Sequence, residues 1–295
     1  MPSARAVSRE NLGLLLGFVG MVLFAGTLPA TRLAVPHLDP WFLTVARAAI
    51  AGLAAIAILA ATRRRWPLRA HWGELVIASA ALVYGFPLFT ALAMQTAPAA
   101  HGGVVLGVLP LATALTAALV AGERPSLGFW IAGAVAAALV TAFALRHGGG
   151  GLVVGDFWLL AAIASAAVGY TYAGKLSSQM PGWEVIAWAL VPSLPIALAA
   201  TVATWPANAA ATAPIAWAGL LYVAFISQLI GFFFWNAGLA IGGIARVSQM
   251  QSLQPFVIVL MAATVNGENA DLTTLLFAAA VVVAVMIGRR TRVAR

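Results

Sequence analysis

The chain contains no cysteine and little charge of either sign, with 8 acidic and 16 basic side chains among 295 residues. The missing thiols exclude disulfides, thiolate metal sites and cysteine nucleophiles, and leave the compartment open. Only 8% charged residues beside 63% hydrophobic ones leave too little polar surface to cover a water-soluble domain. Catalytic signatures are also missing: there is no H-E-x-x-H, no paired intramembrane aspartate and no Ser-His pair at suggestive spacing, so no enzyme is expected. His101 has no second ligand at metal spacing, so neither a metal nor another cofactor is expected; proton sensing or substrate contact remains open for it.

What the chain has instead is ten apolar segments, at 12–31, 40–62, 72–96, 100–121, 127–146, 156–176, 183–204, 214–240, 245–265 and 272–290. Each holds about the 20 residues that an α-helix needs to cross hydrocarbon, and helices satisfy their own backbone there. The expected fold class is an all-α integral membrane protein with ten transmembrane helices. Arg5 and Arg9 before an apolar run resemble a signal peptide, but the run is long and is echoed later in the chain, so it reads as a structural helix.

The echo is extensive. LAMQTAPAAHGGVVLGVLPLATALTAALVAGERP (92–125) returns as AGLAIGGIARVSQMQSLQPFVIVLMAATVNGENAD (237–271), pairing Pro110 with Pro255 and Glu123 with Glu268 at an offset of 145. GTLPATRLA (26–34) returns as GYTYAGKLS (169–177), pairing Gly26 with Gly169 and Arg32 with Lys175 at an offset of 143. Nearly one offset through different helices indicates duplication. The expected domains are a first five-helix repeat over 1–147, a Gly-rich linker over 148–155 and a second five-helix repeat over 156–295. Five spans per copy make the second copy enter from the opposite side, so the repeats are inverted about an axis in the membrane plane.

Charge supports that topology. With a cytoplasmic N-terminus, 13 Arg and Lys residues fall inside and two, Arg32 and Arg146, fall outside, with Arg47 inside the second helix. The expected location is therefore the plasma membrane, a bacterial inner membrane, with both termini cytoplasmic. The same flanking clusters account for the net charge of +8 without a nucleic-acid partner. Four glycines at 148–151 lack a following Lys-Ser/Thr and a preceding strand, so they read as a connector and not a phosphate loop.

Polar residues and helix breakers mark candidate sites. Gly26 and Pro29 interrupt the first helix, beside a cavity or for packing, and Pro87 follows Tyr84-Gly85-Phe86 in the third. Arg47 should face protein or water, reaching a carbonyl or Asp39. Ser248, Gln251 and Gln254 recur every three residues before Pro255, while their counterparts by offset are Gly103, Leu106 and Leu109. The stripe serves either a ligand with polar and apolar parts or hydrogen bonding between helices.

The run FAGTLPATRLAVPHLDPWFLTVARAAIAGL, the helix ending in GER at 122–124, WNAGLA at 235–240 and QPFVIVLMAATVNGE at 254–268 resemble the EamA-type branch of the drug/metabolite transporter superfamily. The resemblance covers nearly the whole chain and implies a ten-helix, inverted-repeat metabolite exporter with a central cavity. In its Trp- and Phe-rich character the chain is most similar to the aromatic amino-acid exporters of the YddG type; a broad drug or metabolite exporter of the same superfamily is the alternative. Expected substrate-binding residues are Gly26, Thr27, Tyr84, Tyr170, Tyr172, Gln228, Trp235, Gln251 and Gln254. Pro29, Pro87, Pro110, Pro255, Glu123 and Glu268 are expected to gate or shape the helices. The partners are a small molecule, such as an amino acid or related metabolite, and the lipid bilayer, and a monomer suffices. With no Asp or Glu at an expected midplane, downhill export is favoured over proton antiport. Reporters fused to the two ends should read out on the same, cytoplasmic, face; ends on different faces would overturn the five-plus-five arrangement.

Overall fold

Lipid offers no hydrogen-bond partner to the backbone, and a chain this apolar answers with helices almost throughout. The computed structural model describes residues 4–121, 124–147, 152–242, 247–269, 271–290 and 293–294. Ten helices carry them. α1 is Ala4–Ala25 and, after a break at Gly26, Thr27–Ala34; α2 is Pro40–Ala61. α3 runs Trp72–Ala78, Ser79–Gly85 as a π-helical stretch, and Phe86–Thr96. α4 runs Ala99–Val105, a 3₁₀ stretch Leu106–Val108, and Leu109–Ala121. α5 is Leu127–His147, α6 is Val154–Leu176 and α7 is Gly182–Ala203. α8 runs Pro214–Leu221, a π-helical stretch Tyr222–Ile230, and Gly231–Gly242. α9 is a 3₁₀ stretch Ser248–Leu253 followed by Gln254–Asn266, and α10 is Leu272–Arg290.

Eight of these are long and apolar enough to cross a bilayer, and Met250–Asn266 and Leu272–Ile287 are shorter apolar helices within the described residues. Outside the helices, Arg124–Pro125 pairs antiparallel with Val293–Ala294, tying the α4–α5 turn to the C-terminal end. The glycine run at 148–151 and Glu123 lie outside the described residues.

The duplication is visible in both packing and defects. α1 lies along α8 as α3 lies along α6, while α2 packs on α7, α4 on α9 and α5 on α10. Exchanging each helix with the one five places later leaves this set of neighbours unchanged. The π stretches of α3 and α8 also occupy equivalent positions, as do the 3₁₀ stretches that precede Pro110 and Pro255. With five spans before it, α6 starts on the face opposite the one where α1 starts, so the repeats are inverted.

The α1–α8 seam depends on glycine because the two backbones nearly touch. A Cβ on Gly20 would stand 2.7 Å from the backbone nitrogen of Trp235, and one on Gly238 would stand 2.5 Å from the nitrogen of Gly17. Packing at such separation replaces the hydrophobic drive that helices lack inside lipid. The largest buried apolar cluster, with Leu28, Phe42, Met94, Phe143 and Leu159, fills the half of the molecule where α2, α4 and α6 begin. Gly20→Val should cost about 1–3 kcal/mol and lower the thermal unfolding midpoint in detergent. Gly133→Val, where a Cβ meets nothing within 4 Å, should leave the midpoint unchanged; equal midpoints would remove the seam from the account.

Candidate functional site

Helix breaks free backbone groups, and the side chains that take them up lie at the centre of the molecule. At the α1 break, Thr27 Oγ1 donates to Phe24 O at 2.6 Å and the Tyr222 hydroxyl donates to Leu23 O at 3.0 Å. Thr27 Oγ1 and Ser227 Oγ stand 2.8 Å apart, joining the break to the π stretch of α8. In the other repeat, Ser165 Oγ donates to Ala81 O within the π stretch of α3 at 2.9 Å.

Around these breaks lies a cavity of about 990 Å³. It reaches from Thr27, Arg47 and Gly103 to Ser177, Pro181 and Leu239, residues at the ends of α6 and α8 and the start of α7, so it opens on that face. One wall is apolar, from Leu106, Leu109 and Pro110 of α4. Another part of the lining is polar, from Gln251, Ser252 and Gln254 of α9. In a 3₁₀ stretch, positions i and i+3 eclipse, so the sequence period of three places Gln251 and Gln254 one above the other. Phe24 meets Phe232 edge-on at 4.8 Å and Trp235 at 6.5 Å, making an aromatic corner.

Of the nine expected lining residues, Thr27, Tyr170, Gln228, Trp235, Gln251 and Gln254 do face this cavity. Three do not. Gly26 is covered by the Tyr222 hydroxyl, which occupies the space where a Cβ would stand. The Tyr84 hydroxyl donates to Ser193 O at 2.6 Å and its ring packs on the α2–α7 cluster, so it ties α3 to α7. Tyr172 packs on the same cluster. Tyr84 faces away because the π stretch shifts the face that each α3 residue presents, a shift that the sequence does not announce. Ser248 belongs to the α9 stripe, but the structure does not describe its side chain.

The expected gating residues divide similarly. Pro110 and Pro255 line the cavity, each just beyond a 3₁₀ stretch. Pro29 and Pro87 are buried, Pro87 heading the α-helical stretch that follows the π stretch. Glu268 closes the face opposite the opening, its two carboxylate oxygens each accepting a backbone N–H at 2.8 Å, from Ala99 and Ala100 at the start of α4. Asn266 Nδ2 donates to Pro29 O at 3.1 Å, and Arg32 donates to Met94 O, so the ends of α1, α3, α4 and α9 are drawn together there.

Two buried polar pairs were not legible in the sequence. Among the described residues Arg47 bonds neither Asp39 nor a backbone carbonyl; its Nη2 donates to the side-chain carbonyl oxygen of Gln228, Oε1, across 181 residues at 2.6 Å. Asp39 instead caps α2, accepting from the N–H groups of Trp41 and Phe42. His101 Nε2 lies 2.6 Å from Asp156 Oδ1, with the Phe143 ring stacked on the imidazole at 5.1 Å. On the open face Lys175 pairs with Glu74 at 2.5 Å, and Arg64 pairs with Glu184 at 3.1 Å while lying over the Trp183 ring.

This geometry agrees with what the chain is similar to. "Uncharacterized transporter YdeK" of Bacillus subtilis (strain 168) is 45% identical over 284 residues, covering 96% of this chain and 99% of that protein. A protein of known crystal structure matches with a TM-score of 0.62 at 24% identity, covering 93% of this chain and 95% of that one, which shows the fold alone. The EamA-like transporter family matches twice, over 11–145 and 153–288, one match to each set of five helices. A chain so matched along both halves, with a one-sided cavity between them, is a multi-pass membrane transporter and belongs to the EamA-like transporter family.

Proposed function

We propose that the chain exports small amphipathic metabolites from the cytoplasm by alternating access, with aromatic and other apolar amino acids as the leading substrate class. The observation that carries this reading is the cavity's unlike walls. A volume of about 990 Å³ accommodates one small molecule with space to spare, and a lining that combines an apolar stretch of α4 with a row of amides on α9 suits a ligand that is polar at one end. The aromatic corner of Phe24, Phe232 and Trp235 favours a ring or branched aliphatic body over a sugar. A broad drug or metabolite exporter has the same need for unlike walls, and the breadth of the substrate panel separates the two.

In this reading the open face is cytoplasmic, as the flanking Arg and Lys clusters favour, and the protein resides in a bacterial inner membrane with both termini inside. Helix bundles drawn from both repeats rock around the cavity, the breaks in α1, α3, α4, α8 and α9 absorbing the rotation. No aspartate or glutamate lines the cavity among the described residues, which favours efflux down the substrate gradient over exchange for protons.

Proteoliposomes loaded with labelled amino acids should show efflux of Phe, Trp or Leu at a rate indifferent to an imposed pH gradient. Failure of every aromatic and apolar amino acid, with efflux of other solutes, would transfer the assignment to the broader exporter. Gln251→Ala and Gln254→Ala should each lower kcat/KM about fivefold, the worth of one hydrogen bond near 1 kcal/mol, with folded protein at the wild-type level. Unchanged kinetics in both would reduce the amide row to helix glue.

The absence of cysteine makes accessibility easy to read. Thr113→Cys, placed in the cavity wall, should react with an impermeant maleimide from the face bearing the termini and not from the other. Adding Glu268→Gln, which weakens the acceptor at the start of α4, should admit the reagent from the second face. Labelling unchanged by that substitution would remove Glu268 from the gate.

A further inference from the structure

Arg47 is the single charged residue in the cavity wall among the described residues, and no carboxylate answers it. It is 4% exposed, about 10 Å below the start of α2 at 1.5 Å per residue. Its one hydrogen bond among the described residues goes to a neutral acceptor, Gln228 Oε1, and its Nε is buried without a partner. Gln228 is itself 2% exposed and held in the π stretch of α8, so the amide cannot swing away cheaply. Tyr170 is another residue of the cavity wall.

A buried cation with only a neutral partner is an unfavourable arrangement, and in membrane proteins such residues face a pathway or a ligand. A guanidinium is built to meet a planar anion through two parallel hydrogen bonds, and its weak hydration lets it do so away from water. The aromatic corner and the apolar residues of α4 line the same cavity, and among the described residues no acidic side chain lines it to receive an ammonium group. One cation balances one negative charge, which disfavours nucleotides and other polyanions.

We infer that the cavity recognises its substrate through a carboxylate seated on Arg47, with an apolar body against the aromatic corner and with no requirement for an amine. The inference rests on the export reading and sharpens it: the charge that matters is the acid's, so an apolar monocarboxylate binds at least as well as the corresponding amino acid. A ligand carrying the amine alone is repelled.

The test uses the full-length protein in detergent, wild type and Arg47→Gln, followed by thermal unfolding at constant ionic strength. The probes are 3-phenylpropionate, its neutral amide, phenylethylamine, phenylalanine and inorganic phosphate. Wild type should be protected by the acid at concentrations about tenfold below those needed for the amide, by phenylalanine no better than by the acid, and not at all by the amine. Arg47→Gln should lose the preference for the acid, keep its response to the amide, and unfold without ligand at or above the wild-type temperature because a buried charge has gone. Equal protection by acid and amide in wild type would overturn the inference whether or not the variant folds. So would a preference surviving in Arg47→Gln, or phosphate protecting as well as the acid. Protection through Arg47 without efflux of any probe from proteoliposomes would leave the seat standing and remove the export reading instead.

Discussion

Every backbone group in a lipid-embedded chain must find its partner within the protein, and this constraint decides where the cavity can be. The helices run unbroken where they face lipid or one another and break where a side chain or another helix can take up the freed groups. The α1 break at Gly26 is answered by Thr27 and Tyr222, the π stretch of α3 by Ser165, and the start of α4 by Glu268. The broken helices α1, α3, α4, α8 and α9 all contribute to the cavity lining. The seam of close-packed glycines between α1 and α8 holds the broken helices in place without restricting the side chains that look inward.

Duplication supplies the scaffold and divergence supplies the chemistry. The two copies keep the same neighbours, the same π and 3₁₀ stretches and the same paired prolines. Their linings differ. Gly103, Leu106 and Leu109 of α4 line the cavity, and on α9 the counterparts of the two leucines are Gln251 and Gln254. Counted from the starts of α2 and α7, which have equal length, Arg47 falls level with Ala189. A symmetric lining would offer one chemistry on both sides of the ligand; the unlike copies offer an apolar side and a polar one, with one charge between them.

Ten helices, two inverted copies and six of the nine lining residues could be read from the sequence because they follow from local properties: hydropathy over about 20 residues, a repeated offset, and polar side chains in apolar runs. The failures have different causes. Tyr84 is an aromatic group within a span, as Tyr170 is, but a helical face cannot be assigned through a π stretch whose presence is known only from the coordinates. Tyr172 lies on the regular helix α6 and turns its ring to the cluster between α2 and α7, a choice of face that only the packing decides. As a cation within an apolar span Arg47 must face protein or water, yet its partner lies 181 residues away on α8, a contact that depends on how the copies dock. His101 lacked a neighbour at metal spacing for the same reason, Asp156 being 55 residues distant. Local pattern reveals which residues are expensive to bury; only the packing reveals what offsets the expense.

The paired cations Arg32 and Lys175 show how equivalent positions serve unlike faces. On the closed face Arg32 donates to the carbonyl of Met94 at the end of α3, so the cation holds one helix end against another. On the open face Lys175 forms an ion pair with the Glu74 side chain near the start of α3, while Leu239, the counterpart of Met94, lines the cavity. A backbone carbonyl at a helix end can be reached only when the helices converge, whereas a long acidic side chain can be reached across a wider separation. The open side therefore keeps its lysine neutralised without drawing the helix ends together. That difference follows from the length of the partner and not from the repeat itself, so one fold copied twice holds a sealed face and an open one at the same time.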